Sequence, residues 1–198
     1  MDKNSIEKYI SNSRLNAYES LEEYKLNILY SQDYYTILSI LEISLRNSIN
    51  QYFNIKYGKD WYKNEFLHQD SFIKIKEVTK RIITSKKDLT HEQIISELSF
   101  GFWSSLFRKS YTNNMRLSDI KCIFPNLPSK KDKIITREYI NKKLNHIRKF
   151  RNRIFHYEKI INKIEYDDIR NDIFELLLYF HTDVYNLANE LTEKKKGI

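Results

Sequence analysis

Glycine and proline constrain this chain most, because so few of either occur. Only three glycines and two prolines are present in 198 residues, too few for the tight turns that many short strands would need. Both prolines, Pro125 and Pro128, fall in one short segment and mark the one clear break in the sequence. The chain is therefore predicted to be all-α and built from long helices.

Apolar residues recur at intervals of three and four over several long stretches, as in amphipathic helices. The spacing predicts helices at 18–29, 38–53, 71–84, 91–111, 131–157 and 166–193. Thr90 precedes the fourth of these, with Gln93 three residues later, as in a capping box. We expect a single domain over residues 1–198, a compact bundle of about six or seven helices whose last two form an antiparallel hairpin with a turn at 161–165.

The charge balance favours anionic partners. The chain has 34 lysines and arginines against 26 acidic residues, a net charge of +8. A surplus of this size attracts polyanions such as RNA, DNA or an anionic membrane surface. A lysine-rich composition that reflects a biased genome would give the same count, so charge alone does not choose between these explanations.

Two further observations exclude other classes of protein. No apolar run approaches the roughly 20 residues that a membrane span requires. Cys122 is the single cysteine, which excludes an internal disulfide framework and a multi-thiolate zinc site. We therefore expect a soluble, cytoplasmic protein with no membrane partner.

The stretch with the most chemical information is 141–160, where an arginine interrupts an apolar stripe. The stripe runs through Ile140, Leu144 and Ile147 at spacings of four and three. Its next position is Arg151, after which Ile154 resumes the apolar pattern. Because burying an unpaired cation is costly, Arg151 must face either an acidic partner or a wet cleft that binds anions. The first alternative makes it a structural ion-pair residue, and the second a site residue.

Asn152 and His156 belong to the same predicted helix. They are four residues apart, so they lie on one side of the helix, one turn from each other. Arg151 and His156 are five residues apart, which separates them by about 140° around the axis. If the two act together, either the arginine reaches round the helix or a second copy of the helix completes the site. This geometry favours a symmetric homodimer.

These residue types can cleave RNA without a metal or another cofactor. RNA carries its own nucleophile, the 2′-hydroxyl beside each phosphate. A histidine can take up or release a proton near neutral pH, and an arginine can hold the oxygens of the reacting phosphate. Cleavage would then leave a 2′,3′-cyclic phosphate. The other histidines lack the spacing of a metal site and are expected to be surface or packing residues: His68, His91, His146 and His181.

Three segments of the chain, in order, carry a resemblance to a known family. They are LEISLRNSINQYFNIKYGKDWY at 41–62, ISELSFGFWSSLF at 95–107 and IRKFRNRIFHYEKI at 147–160, and the last contains an R-N-x-x-x-H motif. Together they resemble the abortive-infection AbiD/AbiF group, often called Abi-like proteins, of the HEPN ribonuclease superfamily. Three ordered segments are far more specific than one six-residue motif.

The resemblance implies an all-α HEPN fold and RNA cleavage in a phage-defence or toxin-like system. It also implies a small structured RNA as partner, and a relationship to the HEPN nuclease domains of RNA-targeting CRISPR effectors. Arg151, Asn152 and His156 match the R-N-x-x-x-H motif and are the expected catalytic residues.

Glu42, Arg46 and Asn47 match the family's N-terminal E-x-x-x-R-N element and are expected to support the site. Glu42 borders a predicted apolar stripe, so it could pair with Arg46 at i+4 or with Arg151 of the later helix. An ordinary solvated carboxylate is the alternative.

Five cations surround the predicted site helix: Lys142, Lys143, Arg148, Lys149 and Arg153. A solvated helix face would explain such a cluster, but beside a phosphate-handling site we interpret it as a track for the RNA backbone. The aromatic residues of segment 95–107 are instead expected in the core rather than on a base-stacking platform, because helical spacing explains most of them.

Three hypotheses follow from these observations. The leading one is a ribonuclease of a defence or toxin system that a bound RNA restrains or guides. The second is a non-catalytic HEPN module that holds a structured RNA without cutting it. The third is a helical interaction protein in which Arg151 is only structural. Salt-sensitive RNA binding separates the third from the others, and cleavage in the presence of a chelator separates the first from the second.

Overall fold

The computed structural model describes residues 3–193, and every regular element within this range is helical. Ten α-helices, α1 to α10, run in order as Lys3–Ile10, Asn12–Leu15, Leu21–Tyr57, Gln69–Thr84, His91–Glu97, Phe100–Ser105, Leu117–Ile123, Arg137–Phe155, Ile169–Phe180 and Thr182–Glu193. Short 3-10 helices lie at Trp61–Lys63, Lys109–Tyr111 and Ile164–Tyr166. The predicted all-α class is confirmed for this range. Residues 1, 2 and 194–198 of the predicted domain lie outside the described residues.

The predicted number of helices is too low for the described range, partly because two predicted helices are divided. Residues 91–111 form α5 and α6, since Leu98 is extended and Ser99 begins a new helix with its Oγ accepting the Phe102 N–H. Residues 166–193 are divided at His181, whose φ of −170° and ψ of 148° are extended. The other additions, α1, α2 and α7, are too short to show a clear apolar period.

The longest helix, α3, joins two stretches that the sequence pattern separates. It covers 37 residues. It begins after Ser20, whose Oγ accepts the Glu23 N–H at 3.1 Å. It ends at Gly58, whose φ of 85° is readily adopted by a residue without a Cβ. No glycine or proline lies between these two ends, so the two apolar runs form one continuous helix.

The apolar stripe predicted for the first part of α3 is wrong. Leu26 and Leu29 are 59% and 57% exposed, whereas Asn27 is fully buried. The Asn27 Oδ1 accepts the backbone N–H groups of Ile160 at 2.7 Å and Ile161 at 3.2 Å. A polar contact with the segment after α8 therefore decides which side of α3 faces inward here.

One hydrophobic core extends from Tyr34 to Ala188, with α3 packed against α6, α7, α9 and α10. The predicted stripes of α3 and α8 are fully buried at Leu41, Leu45, Ile49, Phe53, Ile140, Leu144 and Ile147. Burying each such side chain contributes roughly 1.5–3 kcal/mol. The aromatic residues of segment 95–107 are also buried, as expected: Phe100, Phe102, Trp103 and Phe107. These buried stripes fix the rotation of α3 and α8, and hence the directions of their polar side chains.

The predicted antiparallel hairpin is formed by α8 and α9, with α10 following it. Tyr139, early in α8, donates to Glu175 at 2.8 Å, whereas His146, later in α8, contacts Asp172 at 2.8 Å. Successive contacts thus run in opposite directions along the two helices. The helix predicted at 131–157 is shorter than expected, because it begins after Thr136, whose Oγ1 accepts the Tyr139 N–H at 3.0 Å.

Candidate functional site

Glu42 and Arg151 form an ion pair that joins three helices. The Arg151 Nη2 lies 3.2 Å from the Glu42 Oε2, and the two side chains are 23% and 25% exposed. The other carboxylate oxygen, Oε1, accepts the backbone N–H of Phe100 at 3.0 Å. One carboxylate on α3 therefore contacts α6 and α8 at once. Of the alternatives predicted for Glu42 and for Arg151, the structure shows the ion pair between the two.

The surrounding core explains why this pair forms. Glu42 follows Leu41 and precedes Leu45, both fully buried on α3. Arg151 lies between the buried Ile147 and Ile154 on α8. Each charged group sits at the border of an apolar stripe, so each would be left part-buried without the other.

Arg151 has further contacts and unused hydrogen-bonding capacity. The centre of its guanidinium lies 4.0 Å from the centre of the Phe155 ring, a cation–π contact. Its Nε is buried and has no hydrogen-bond partner among the described residues. Because an arginine carries five N–H donors, the pair with Glu42 leaves donors of Arg151 unused.

His156 lies at the end of α8 with an exposed side chain. The helix stops at Phe155 rather than at the predicted Tyr157, and Tyr157 has a left-handed φ of 56°. Arg14 of α2 donates to the backbone oxygens of Tyr157 and, at 3.4 Å, of His156. A cation is favoured at a helix C-terminus, where backbone oxygens lack partners. No sequence signal pointed to Arg14.

The structure does not bring Arg151 and His156 into contact. No hydrogen bond or ion pair joins them within residues 3–193. Asn152 lines a shallow depression with Lys149 and Glu165, and its backbone oxygen accepts the His156 N–H at 2.9 Å. Asn152 therefore borders this depression, whereas Arg151 faces Glu42 and the Phe155 ring.

The remaining residues of the E-x-x-x-R-N element take no part in the ion pair. The Arg46 Nε donates to the Asn47 Oδ1 at 3.3 Å. In the described part of the chain, neither side chain forms a hydrogen bond or ion pair with Arg151 or His156. Glu42 is therefore the one member of this element that the structure connects to Arg151.

The predicted RNA track includes one cation whose charge is already neutralised. Lys142 and Lys149 are exposed, as a track requires. Lys143 is 16% exposed and is held by the carboxylates of Asp172 and, at 2.7 Å, Glu175. Lys143 thus differs from its neighbours, because a phosphate would have to displace two carboxylates to reach it.

Of the other two cations of the predicted track, Arg153 borders a depression together with Lys149, and Arg148 lies against α6. Arg153 pairs with Glu158 at 3.3 Å. Arg148 donates to Asn145 Oδ1 at 2.8 Å, and its Cδ packs against Gly101 of α6. Four of the five cations therefore border two adjoining depressions near Glu165, whereas Arg148 faces α6. Lys142, Lys143 and Lys149 line the first depression, and Lys149 and Arg153 line the second.

Sequence analysis missed a polar network between α8 and α9. Glu175 accepts hydrogen bonds from Lys133, from Tyr139 and, at 2.5 Å, from Tyr179, and it pairs with Lys143. The only signal in the sequence is a carboxylate inside the apolar run 173–180.

The described part of the chain offers neither grouped metal ligands nor a membrane-spanning helix. Between residues 3 and 193, no three His, Cys, Asp or Glu side chains are grouped so as to hold a metal ion. None of the helices in this range combines the length and the apolar character needed to cross a bilayer.

Scans of this chain against protein-family models, curated proteins and solved structures found no match in any of the three. The similarity of the three segments to Abi-like proteins therefore stays a prediction.

Proposed function

We propose that this chain is an RNA-binding HEPN-type protein and a metal-independent endoribonuclease, with Arg151, Asn152 and His156 as its catalytic residues. The observation that carries this proposal is the contact of Glu42 with both Arg151 and the Phe100 N–H. Each of the three segments that resemble Abi-like proteins contributes one partner, although Glu42 and Arg151 are 109 residues apart. Such convergence is expected if the three segments form one site.

The proposed chemistry uses only groups of RNA and of this chain. The exposed imidazole of His156 takes the proton of a 2′-hydroxyl or gives one to the leaving oxygen. Arg151, oriented by Glu42, uses its remaining N–H donors to stabilise charge on the phosphate oxygens. The products are a 2′,3′-cyclic phosphate and a 5′-hydroxyl.

The biological setting is part of the same proposal. The resemblance favours an abortive-infection or toxin–antitoxin-like system in the cytoplasm, with a small structured RNA as regulatory partner. The net charge of +8 supports an RNA partner, because lysines and arginines that neutralise phosphates release counterions on binding.

A second candidate function is RNA binding without cleavage. The observation that favours it concerns His156, whose exposed ring has no hydrogen-bond partner among the described residues and does not contact Arg151. A catalytic base is normally oriented by a neighbouring group. A site without that orientation would hold an RNA but not cut it.

Cleavage of single-stranded RNA in excess chelator distinguishes the two functions. We expect the wild type to cut and to leave 2′,3′-cyclic phosphate ends, and His156→Ala to be at least about 100-fold slower, the usual contribution of a general acid or base. Since His156 is exposed, its replacement should leave the urea midpoint of unfolding unchanged. His181→Ala, at another exposed histidine, is the matched control and should cut at the wild-type rate.

The other outcomes are equally informative. Salt-sensitive RNA binding without cleavage would favour the second function. Equal cleavage by the wild type and His156→Ala would show that the proposed site is wrong. Absence of both binding and cleavage would reject both functions and leave Arg151 a structural residue.

A further inference from the structure

A groove of about 900 Å³ runs between α4 and the segment that joins α5 to α6. The charged residues of its lining are mainly basic, with four cations, Lys74, Lys80, Arg81 and Lys87, against two carboxylates, Glu77 and Glu97. Arg81 and Lys87 share Glu97, at 3.9 Å and 3.5 Å. The groove therefore keeps an excess of positive charge after its own ion pairs are formed.

Lys74 of α4 lines this groove and is half-buried. Among the described residues, no carboxylate lies within ion-pair distance of it, and none lies within that distance of Arg108 or Arg148. Burial lowers the pKa of Lys74, and the nearby charges of Arg108 and Arg148 lower it further, only partly offset by Asp70 and Glu77. Three cations are thus gathered without an ion-pair partner.

Two other part-buried lysines of the fold do have carboxylate partners. Lys143 and Lys159, whose side chains are 16% and 20% exposed, are both held by carboxylates; that of Glu23 lies 2.7 Å from Lys159. Crowding cations without carboxylates costs folding free energy. A negatively charged ligand at Lys74 would remove that cost.

The groove and the candidate site meet at the start of α6. Phe100 donates its N–H to Glu42, the partner of Arg151. The next residue, Gly101, lies against the Arg148 side chain: a Cβ built on Gly101 would be 3.7 Å from the Arg148 Cδ. Arg148 and Arg151 are three residues apart on α8 and are therefore neighbours on its surface.

We propose that Lys74, Arg108 and Arg148 form a binding site for the phosphates of single-stranded RNA, which leads the strand from Arg151 into the groove beside α4. This inference rests on the proposed function, since it concerns the RNA that the candidate site would cut. The proposed site places the main contacts with the RNA backbone on the side of α8 that faces α6. The earlier prediction placed them on the side of Lys142 and Lys149.

The test measures binding of a fluorescent single-stranded RNA of 12 nucleotides, 2′-O-methylated so that it cannot be cleaved. We expect Lys74→Gln/Arg108→Gln to bind about tenfold more weakly than the wild type at low salt. The slope of log affinity against log salt should become shallower by about 1.4, the effect of losing two phosphate contacts with a single strand. The matched control, Lys121→Gln/Lys130→Gln, removes the same charge from two exposed lysines and should bind within twofold of the wild type.

A second measurement tests the argument about unpaired charge. Since Lys74 has like-charged neighbours, Lys74→Gln should unfold at the same or a higher urea concentration than the wild type. A lower midpoint would show that Lys74 has a structural partner, and would overturn the proposed site.

The failures of the two proposals are distinguishable. If the wild type binds RNA and cuts it with His156, but Lys74→Gln/Arg108→Gln binds normally or no worse than the control, the phosphate site is wrong and the proposed function stands. If the wild type binds no RNA at any salt concentration, both are wrong.

Discussion

At the scale of single residues, the carboxylate of Glu42 has two roles. It neutralises a part-buried guanidinium, and it satisfies a backbone N–H at the start of α6 that has no partner within that helix. Both roles depend on the carboxylate alone. The pair also gives Arg151 a fixed direction, which a phosphate-holding arginine needs.

We predict that Glu42→Ala lowers the free energy of unfolding by about 2 kcal/mol. The reason is that Arg151 is left part-buried without a counterion and the Phe100 N–H loses its acceptor. Urea unfolding followed by circular dichroism measures the change. Arg151→Ala should cost less in the Glu42→Ala background than in the wild type, because the pair is already broken.

The control for this prediction is Glu22→Ala, which removes an exposed carboxylate from the same helix. Its partner is Lys25 at 2.6 Å, and the side chains are 75% and 42% exposed. Surface pairs of this kind contribute at most about 1 kcal/mol. If Glu42→Ala were as mild as Glu22→Ala, the Glu42–Arg151 pair could not be an organising feature of the site.

At the scale of elements, α8 and α9 are joined by the polar network around Glu175. Burial alone would raise the pKa of Glu175, but hydrogen bonds from Lys133 and Lys143 outweigh burial and lower the pKa to about 2. A carboxylate with a lowered pKa stabilises the fold at pH values above its unfolded-state pKa. This contribution is lost as the pH falls through the folded-state pKa. For Glu175 the window lies between about pH 4.5 and pH 2.

We predict that Glu175→Gln is less stable than the wild type at pH 7, by about 1–2 kcal/mol, because Lys133 and Lys143 lose a shared partner. The difference should shrink as the pH falls from 4.5 to 2, where the wild-type carboxyl takes up its proton. Urea midpoints of both proteins at pH 7, 4.5 and 2.5 measure this convergence. Parallel pH profiles would show that Glu175 does not keep its lowered pKa in solution.

At the scale of the whole molecule, the two key side chains of the proposed site lie apart. Arg151 faces Glu42, and His156 is exposed at the end of α8. Tyr35, Phe155 and Tyr157 are 58%, 41% and 67% exposed, and the Tyr35 and Phe155 rings lie 6.0 Å apart. Exposed aromatic residues of this kind are enriched at protein interfaces.

We predict that active protein is a homodimer in which Arg151 of one copy acts with His156 of the other. A two-fold axis near the end of α8 would bring both pairs into one cleft. Mixing the inactive variants Arg151→Ala and His156→Ala should then restore activity, up to about a quarter of the wild-type value, since mixed dimers retain one intact site. Light scattering measures the mass with and without RNA. A monomeric wild type that cuts RNA, with no recovery on mixing, would contradict the shared site.

Much of the architecture could be predicted from local sequence. The shortage of glycine and proline, together with apolar spacing, predicted an all-α chain and the buried stripes of α8 and of the second part of α3. Asn27 and Leu26 show where such prediction ends. Their spacing favours a buried leucine, but the backbone N–H groups of Ile160 and Ile161 require a buried amide. That requirement comes from a segment more than 130 residues away.

For the candidate site too, some features could be predicted from the sequence and others could not. The sequence alone determined that Arg151 interrupts an apolar stripe, and that its helix carries Asn152 and His156, because these are properties of one helix and its period. Only the tertiary structure decided that Arg151 meets Glu42, that Lys143 is neutralised and that Lys74 has no carboxylate partner among residues 3–193. The physical reason is that a helical period fixes the direction of a side chain relative to its own axis. Which charged group that side chain contacts depends on which other helices pack against its own helix.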